Sequence, residues 1–331
     1  MPRKNAYTGR YKIDKNALGI VKYWSRSYWS WKERYKELEA EIEQGKALRY
    51  DKEQVQTSNQ SDEVAELAVK TNHFLSGDVK CAIKNRAENE PWPIARNVIE
   101  KIEENIMIAE EGTLPLCQDT GMACVFLEIG QEVHFTGGLL EDAINEGVRK
   151  GYGEGFLRKS VVADPLRRVN TKDNTPAHIH YEMVAGDKVK ITFAPKGFGS
   201  ENMSQIKMFP PAAGETGVKD FVVKVCEEAG ANPCPPIVVG VGIGGTFDKA
   251  ALMAKQALLV PLDEENEEPY YADMEKELLE RINELGIGPQ GFGGKTTALA
   301  VNIETLPTHI AGLPCAVNIN CHVTRHKSEV I

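Results

Sequence analysis

Seven cysteines carry the most specific chemistry in this 331-residue chain: Cys81, Cys117, Cys124, Cys226, Cys234, Cys315 and Cys321. Their odd number, in a chain whose first residues lack the apolar core of a secretory signal, argues against a disulfide framework. No two of them form a Cys-x-x-Cys pair, which excludes zinc-ribbon and thioredoxin-like motifs. Any metal site must therefore combine single cysteines from distant segments.

Three of these cysteines stand where the pattern predicts loops or strand ends. Cys117 begins the segment CQDTG, Cys234 lies within NPCPP, and Cys321 ends a predicted strand. Three thiolates without a fourth would suit a 4Fe–4S cluster with one open iron, which could act as a Lewis acid. The alternative for each cysteine is a small buried apolar residue, and spacing alone favours that alternative.

Glycine-rich segments suggest a second kind of chemistry. Gly240–Gly245 fits the GxGxxG pattern after an apolar strand, and Asp263 follows about 20 residues later, as in the dinucleotide site of an NAD-dependent dehydrogenase. The alternative is a tight turn from strand to helix. The segment Gly293–Thr296 resembles a phosphate-binding loop but has Pro289 where that loop needs glycine. Together with the loop Lys196–Asn202, these segments predict a site for a small anion.

Composition limits the class of partner and the location. A net charge of -9 argues against nucleic acid as a partner, since such binding depends on neutralising phosphates. No apolar run approaches the ~18 residues that a membrane-spanning helix needs. With no export signal, we expect a cytoplasmic protein.

The positioning elements begin after a change in composition near residue 60. Residues 1–60 carry 13 Lys+Arg against 8 Asp+Glu, a balance of +5, and predict a helical or partly disordered N-terminal extension. Residues 61–331 alternate helical and strand patterns, which predicts an α/β domain of mixed sheets with packed helices. One helix is predicted from Ser61 or Asp62 to about Asn85, and a β-hairpin over residues 179–196 with its turn at Gly186-Asp187.

Five long blocks of sequence, in the right order, resemble the iron–sulfur hydro-lyases of the fumarase and tartrate dehydratase family. They cover about residues 62–331 and read PLCQDTGM, RKSVVADPLRRVNTKDNTPAHIH, APKGFGSENMS, NPCPPIVVGVGIGGTFDKAA and GIGPQGFGGKTTALAVNIETLPTHIAGLPCAVNINCH. Within this family, the blocks resemble the alpha subunit of the two-subunit class I enzymes. The resemblance implies that the N-terminal extension has no counterpart in the family.

The resemblance implies a ligand set for a 4Fe–4S cluster. Carried over by motif, the three ligands are Cys117, Cys234 and Cys321. Cys315 competes for the third place because it lies only six residues from Cys321. Cys321 is preferred because the family's ligand follows the active-site histidine, here His309, by about a dozen residues.

The resemblance also implies roles for the side chains around the cluster. Asp119 and His309 correspond to catalytic residues, and the residues expected to bind substrate are Gln118, Arg158, Gly197 and Lys196. From the residues alone, Asp119 could equally be a turn or cap residue before Thr120 and Gly121.

The activity that the resemblance implies is reversible hydration of fumarate to (S)-malate, with L-tartrate dehydration as the alternative within the family. The substrate would be a C4 dicarboxylate, which needs cationic clamps. Further substrate-binding residues of the one-chain enzymes lie beyond the matched blocks. We therefore expect a beta subunit to complete the site, in an α2β2 assembly.

Overall fold

Helices and strands alternate along the computed structural model, which describes residues 54–111 and 114–331. In chain order the helices are α1 (Thr57–His73), α2 (Gly77–Asn89), α3 (Pro93–Glu110), α4 (Leu140–Glu154), α5 (Phe198–Glu201), α6 (Gly214–Ala229), α7 (Phe247–Gln256) and α8 (Pro269–Glu284). The strands are β1 (Gln54–Gln56), β2 (Met122–Gly130), β3 (His134–Thr136), β4 (His178–Val184), β5 (Val189–Lys196), β6 (Gln205–Phe209), β7 (Ile237–Gly244), β8 (Ala298–Leu306), β9 (Leu313–Asn320) and β10 (Lys327–Val330). The predicted α/β organisation with mixed sheets is confirmed.

The first residues of the chain bear on the predicted domain boundary. The predicted N-terminal extension lies outside the described residues up to residue 53. Helix α1 begins at Thr57, and both Thr57 and Gln60 are buried. The helix therefore crosses the predicted boundary between residues 60 and 61. The division into an extension and a domain stays a prediction.

The first large sheet has the strand order β10-β5-β2-β4. Strand β2 is parallel to β4 and antiparallel to β5. Alternate residues of β2 from Ala123 to Ile129 pack into a core with α1 and α4. These two helices approach closely at Gly147, where a Cβ atom would lie 2.5 Å from the carbonyl oxygen of Ser61.

The second large sheet has the order β6-β9-β7-β8, with β7 parallel to β8 and antiparallel to β9. Helices α6 and α8 cover one face and enclose the largest apolar core. Helix α7 and the pair α2 and α3 pack on the other face. The central strands β7 and β9 are thus buried on both sides, which explains the continuous apolar sequence of β7 and the mostly apolar sequence of β9.

The glycines of the GxGxxG pattern serve helix packing. Gly240 and Gly242 lie within β7, where Cβ atoms would stand 2.1 Å and 2.2 Å from the carbonyl oxygens of Ala254 and Ala250 in α7. Only glycine allows this approach of helix to strand. Asp263 is exposed in a loop and follows no second strand. The pattern that suggested a dehydrogenase is thereby accounted for by packing.

The predicted hairpin over residues 179–196 is wrong. Strands β4 and β5 form, but β2 lies between them and pairs with both. The end of β2 also bonds the connecting turn, since the N–H of Glu132 donates to the carbonyl of Gly186. A mostly buried strand such as β2 needs neighbours on both edges, and this requirement outweighs the local turn signal.

The single helix predicted from Ser61 or Asp62 to Asn85 is also wrong, because two helices form. The chain leaves α1 after His73, and Ser76 adopts an extended conformation before α2. Leu75, in the break, is buried in the core formed by α2 and α3. Burial of this side chain stabilises the interruption, which helical periodicity alone does not show.

Within residues 54–111 and 114–331, none of the helices combines the length and the apolar character needed to cross a bilayer. This agrees with the absence of a long apolar run in the sequence.

The close packing of α7 on β7 gives a stability prediction. We expect Gly240→Ala to lower the free energy of unfolding by about 1–3 kcal/mol, since its methyl group would overlap the carbonyl oxygen of Ala254. Gly153→Ala in α4 is the control, because a Cβ atom there meets nothing within 4 Å. Urea unfolding of both variants measures the difference, and equal midpoints for the two would contradict the packing argument.

Candidate metal centre

Strand pairing brings two of the three predicted ligands to one edge of the second sheet. Val238 in β7 pairs with Asn320 in β9, so Cys234, four residues before Val238, and Cys321, directly after Asn320, meet at the same edge. The next residue, His322, links the two segments through its backbone and its side chain. Its backbone N–H donates to the carbonyl of Cys234 (3.3 Å), and its Nδ1–H donates to the same oxygen (3.0 Å).

Cys117 reaches this edge from the segment between α3 and β2. Its neighbour Leu116 is held on both sides, because its N–H donates to the carbonyl of Asn72 (2.8 Å) and its carbonyl accepts from Nδ2 of Asn105 (2.9 Å). Cys117 and Cys321 pack against the same apolar cluster between α2, α3 and the second sheet. Two helices thus fix the position of the first ligand.

The three thiols lie close enough to influence one another's protonation. Burial raises the pKa of Cys234, and the neighbouring Cys321 and Cys117 raise it further. Burial also raises the pKa of Cys321, while Arg325 and the N–H of Val323 act in the opposite direction and Cys117 adds to the rise. Three deprotonated thiols at this edge would repel each other. A positively charged metal group that replaces their protons would offset this repulsion and stabilise the thiolate forms.

The donor set has the chemistry of an iron–sulfur site. All three thiols are free, and each lies in a loop or directly after a strand. Among the described residues, no group of three His, Cys, Asp or Glu side chains is arranged to hold one metal ion. Soft thiolates from three separate segments are the ligands typical of iron–sulfur clusters.

Cys315 does not share this environment. It lies inside β9, is 0% exposed and belongs to the core beneath α6 and α8. Burial alone raises its pKa to about 12, and no charged neighbour counters that effect. Cys226 is buried in the same core, Cys124 is buried in β2, and Cys81 is exposed on α2. The geometry therefore favours Cys321 over Cys315 as the third ligand.

Asp119 makes the hydrogen bonds of a turn or cap residue, which was the alternative predicted from its sequence position. Its Oδ1 accepts the N–H of Gly121 (3.0 Å), and its Oδ2 accepts the N–H of Phe198 (3.0 Å) from the start of α5. The adjacent Gly197 lies close by, since a Cβ atom there would stand 3.4 Å from Oδ2 of Asp119. The structure thus places Asp119 and Gly197 together, two residues from Cys117.

Gln118 and Arg158 also border the thiol edge. Gln118 is exposed, and its Oε1 accepts a hydrogen bond from the thiol of Cys117 (3.3 Å). The N–H of Arg158 donates to Oγ1 of Thr120 (2.8 Å), and this hydroxyl donates to the carbonyl of Arg158 (3.1 Å). The guanidinium of Arg158 is exposed and forms no ion pair with a carboxylate in the part of the chain that the structure describes.

Lys196 is placed differently from its prediction as a substrate-binding residue. Its side chain is buried, and its Nζ donates to the carbonyl of Ile319 (2.6 Å) and to Oγ of Ser200 (3.1 Å) and pairs with Glu201 (3.2 Å). Burial lowers the pKa of Lys196 to about 8, although Glu201 favours its charged form. Its amine is already occupied, so it joins α5 to β9.

His309 is not brought to the thiols of its own chain. It lies in the loop before β9, whereas Cys321 follows the last residue of that strand. The eight residues of β9 separate them by about 25 Å, at about 3.3 Å per residue. The neighbouring Thr308 donates to the carbonyl of Gly245, which confirms that this loop lies at the opposite end of β7. A full strand thus separates His309 from Cys321, and its catalytic role stays a prediction.

Glu90 makes structural contacts that the sequence analysis did not find. It is 1% exposed, accepts hydrogen bonds from the N–H of Lys295 (3.1 Å and 3.0 Å), and accepts another from Oγ1 of Thr296 (2.6 Å). The glycine-rich loop that was predicted to bind an anion thus holds a carboxylate of its own chain. The Lys196–Asn202 loop does the same with Asp119.

Arg325 and Tyr152 were also missed. The Nη2 of Arg325 donates to the carbonyl of Asp119 (2.7 Å), and the hydroxyl of Tyr152 donates to the carbonyl of Thr120 (2.8 Å). Both side chains come from outside the CQDTG segment and fix its backbone. A single arginine or tyrosine gives no sequence signal for such a contact.

The chain is similar to known proteins over most of its length. A family model described as fumarate hydratase (Fumerase) matches residues 61–330. The chain belongs to the fumarate hydratase (Fumerase) family. This family is the iron–sulfur class of hydro-lyases, so the chain is an enzyme of that class.

Relatives of this fumarate hydratase family member carry a more specific name. A protein of Methanocaldococcus jannaschii named putative L(+)-tartrate dehydratase subunit alpha is 44% identical over 271 residues, covering 80% of this chain and 95% of its own. An Escherichia coli protein named L(+)-tartrate dehydratase subunit alpha is 29% identical over 266 residues, covering 79% and 87%. Each of these relatives is named as one subunit of an enzyme.

The carboxylate of Glu90 gives a pH prediction. Burial acts to raise the pKa of Glu90, but the hydrogen bonds from Thr296, Lys295 and Trp92 outweigh it and hold the pKa below its ordinary value. The stabilisation is therefore complete above the ordinary pKa of a glutamate and is lost as pH falls through the lowered value. We expect Glu90→Gln to cost about 1–3 kcal/mol at pH 7 and progressively less at acidic pH.

Urea unfolding between pH 7 and pH 3 measures this difference. The control is Glu104→Gln, which removes an exposed ion pair with Lys101 and should cost little at any pH. A cost of Glu90→Gln that stays constant down to the lowest pH would contradict the assignment.

Proposed function

We propose that this chain is the cluster-binding alpha-type subunit of a hydro-lyase that interconverts fumarate and (S)-malate. Cys117, Cys234 and Cys321 would hold a 4Fe–4S cluster, with one iron left without a protein ligand. The observation that carries the proposal is the meeting of three free thiols at the edge where β7 begins and β9 ends. Cys315, the competing ligand, is enclosed in the core.

The reaction sets requirements that the neighbouring side chains meet in part. Hydration adds hydroxide to one carbon of fumarate and a proton to the other, and the reverse removes a weakly acidic proton beside a carboxylate. A bound cluster supplies a Lewis-acidic iron for the carboxylate and hydroxyl oxygens of the substrate. Arg158 offers an exposed guanidinium that can bind a carboxylate in a bidentate manner, and Gln118 offers an amide for orientation.

Asp119 is the residue of this edge best placed to move a proton. Hydrogen bonds from Gly121 and Phe198 hold its carboxylate in one orientation, and each oxygen keeps a lone pair for a further donor. A carboxylate fixed in this way can accept the proton from the carbon beside the substrate carboxylate. Gly197, beside Asp119, leaves room for a substrate to approach the backbone.

The same edge lacks some of the groups that a dicarboxylate needs. The amine of Lys196 is engaged by Ile319 and Glu201, and His309 lies at the other end of the sheet. A second chain would therefore supply the remaining contacts, and the alpha-subunit names of the relatives support a beta subunit in that role. We propose an α2β2 assembly.

The names of the relatives favour a second candidate, dehydration of L-tartrate. Both substrates are C4 dicarboxylates that lose water beside a carboxylate, so the same thiols and the same Arg158 would serve either reaction. The blocks KGFGSENMS and GVGIGGTF resemble fumarases more than tartrate dehydratases, which keeps fumarate as the first candidate.

The test of the substrate uses the chain co-purified with its partner subunit under anaerobic conditions. Fumarate, (S)-malate and L-tartrate are supplied separately, and kcat/KM is measured for each. We expect the highest kcat/KM with the fumarate and malate pair. A higher value with L-tartrate would establish the second candidate, and no turnover of any of the three would contradict both.

The assignment of the third ligand gives a further prediction. We expect Cys321→Ser to prevent retention of the cluster, whereas Cys315→Ser keeps iron and sulfide contents at the wild-type level. The reason is that only Cys321 lies within electrostatic reach of Cys117 and Cys234. Iron and acid-labile sulfide are measured after anaerobic reconstitution, with helix content by circular dichroism as the folding control. Equal cluster content in the two variants would contradict the assignment.

A further inference from the structure

Arg325 is a buried cation beside the thiols that no carboxylate of the described chain neutralises. It is 7% exposed and lies four residues after Cys321. Its Nη2 donates to the carbonyl of Asp119 (2.7 Å) and its Nη1 to the carbonyl of Val323 (3.5 Å). Its buried Nε has no hydrogen-bond partner among residues 54–111 and 114–331.

This arrangement is costly for the folded chain by itself. A buried charge is tolerated when it is paired, and a buried donor without an acceptor destabilises the fold. The two neutral carbonyl groups accept some of the hydrogen bonds of the guanidinium, but they do not neutralise its positive charge. The missing partner is therefore an anion that the described chain does not itself provide.

A second buried cation at the same edge shows the contrast. Lys196 also contacts the end of β9, but it pairs with Glu201 (3.2 Å), which pairs in turn with Lys255 (2.6 Å). Its ammonium group therefore has a carboxylate partner within the chain, which it shares with Lys255. Arg325 has no carboxylate partner of this kind among the described residues, and of the two cations it acts more strongly to lower the pKa of Cys321 against the effect of burial.

We propose that Arg325 is the counter-charge of the cluster site and the positioning residue of Asp119. Its guanidinium balances the negative charge of the three thiolates and their cluster, and its Nη2 holds the backbone of the proposed proton acceptor. The inference rests on the proposed function, because the anion is the thiolate-bound cluster.

The proposal predicts an electrostatic effect that a purely structural arginine would not have. The reduction potential of an iron–sulfur cluster depends on the net charge and hydrogen bonds around it. Removing a buried positive charge disfavours the more negative, reduced state, so the potential becomes more negative. A lysine at this position keeps the charge but loses the planar arrangement of donors.

The experiment compares Arg325→Met and Arg325→Lys in the full chain, reconstituted anaerobically with iron and sulfide. The midpoint potential is followed by electron paramagnetic resonance, and folding by circular dichroism and thermal unfolding. Arg281→Met is the matched control. Arg281 is partly exposed and pairs with Asp220 on the face of the second sheet that α6 and α8 cover. We expect its potential to equal that of the wild type.

We expect Arg325→Met to shift the potential to more negative values, and Arg325→Lys to stay near the wild type. If the methionine variant binds no cluster while the equally folded lysine variant binds it, the proposal is also supported. An unshifted potential in Arg325→Met, or loss of the cluster in both variants, would overturn it. A wild-type chain that takes up neither iron nor sulfide would instead overturn the proposed function.

Discussion

The antiparallel pairing of β7 with β9 is the constraint on which the candidate site depends. It brings the residues before β7 and those after β9 to one edge, so Cys234 and Cys321 become neighbours although 86 residues separate them in sequence. Both strands can take the central positions because they are apolar on both faces and because glycines in β7 admit helix α7. Packing of the second sheet thus determines the geometry of the ligands.

Internal carboxylates give the same edge its rigidity. Glu90 and Asp119 occupy the N–H groups of two glycine-rich loops, and each joins segments that are distant in sequence. Such loops can bind a carboxylate of the protein in the way they bind a free anion, because oriented N–H groups favour negative charge. The loops therefore support the CQDTG segment and the second sheet.

Sequence patterns predicted the α/β class and the apolar strands, since these follow from local periodicity and from burial on both faces. The family resemblance led to the three cysteines, and strand pairing explains how they meet. The sequence could not show that β2 separates β4 from β5, because strand order depends on contacts between distant segments. For the same reason it could not show that a full strand separates His309 from Cys321 or that Lys196 pairs with Glu201, and it gave no sign of Arg325.

The central claim is that three thiols from separate segments bind one cluster and leave one of its irons without a protein ligand. A Mössbauer spectrum of the chain reconstituted anaerobically with ⁵⁷Fe and sulfide, recorded with and without substrate, tests it most directly. The account predicts two iron environments in a ratio of about three to one, of which the minor one changes when a C4 dicarboxylate is added. Four equivalent irons that do not respond to the dicarboxylate would contradict it.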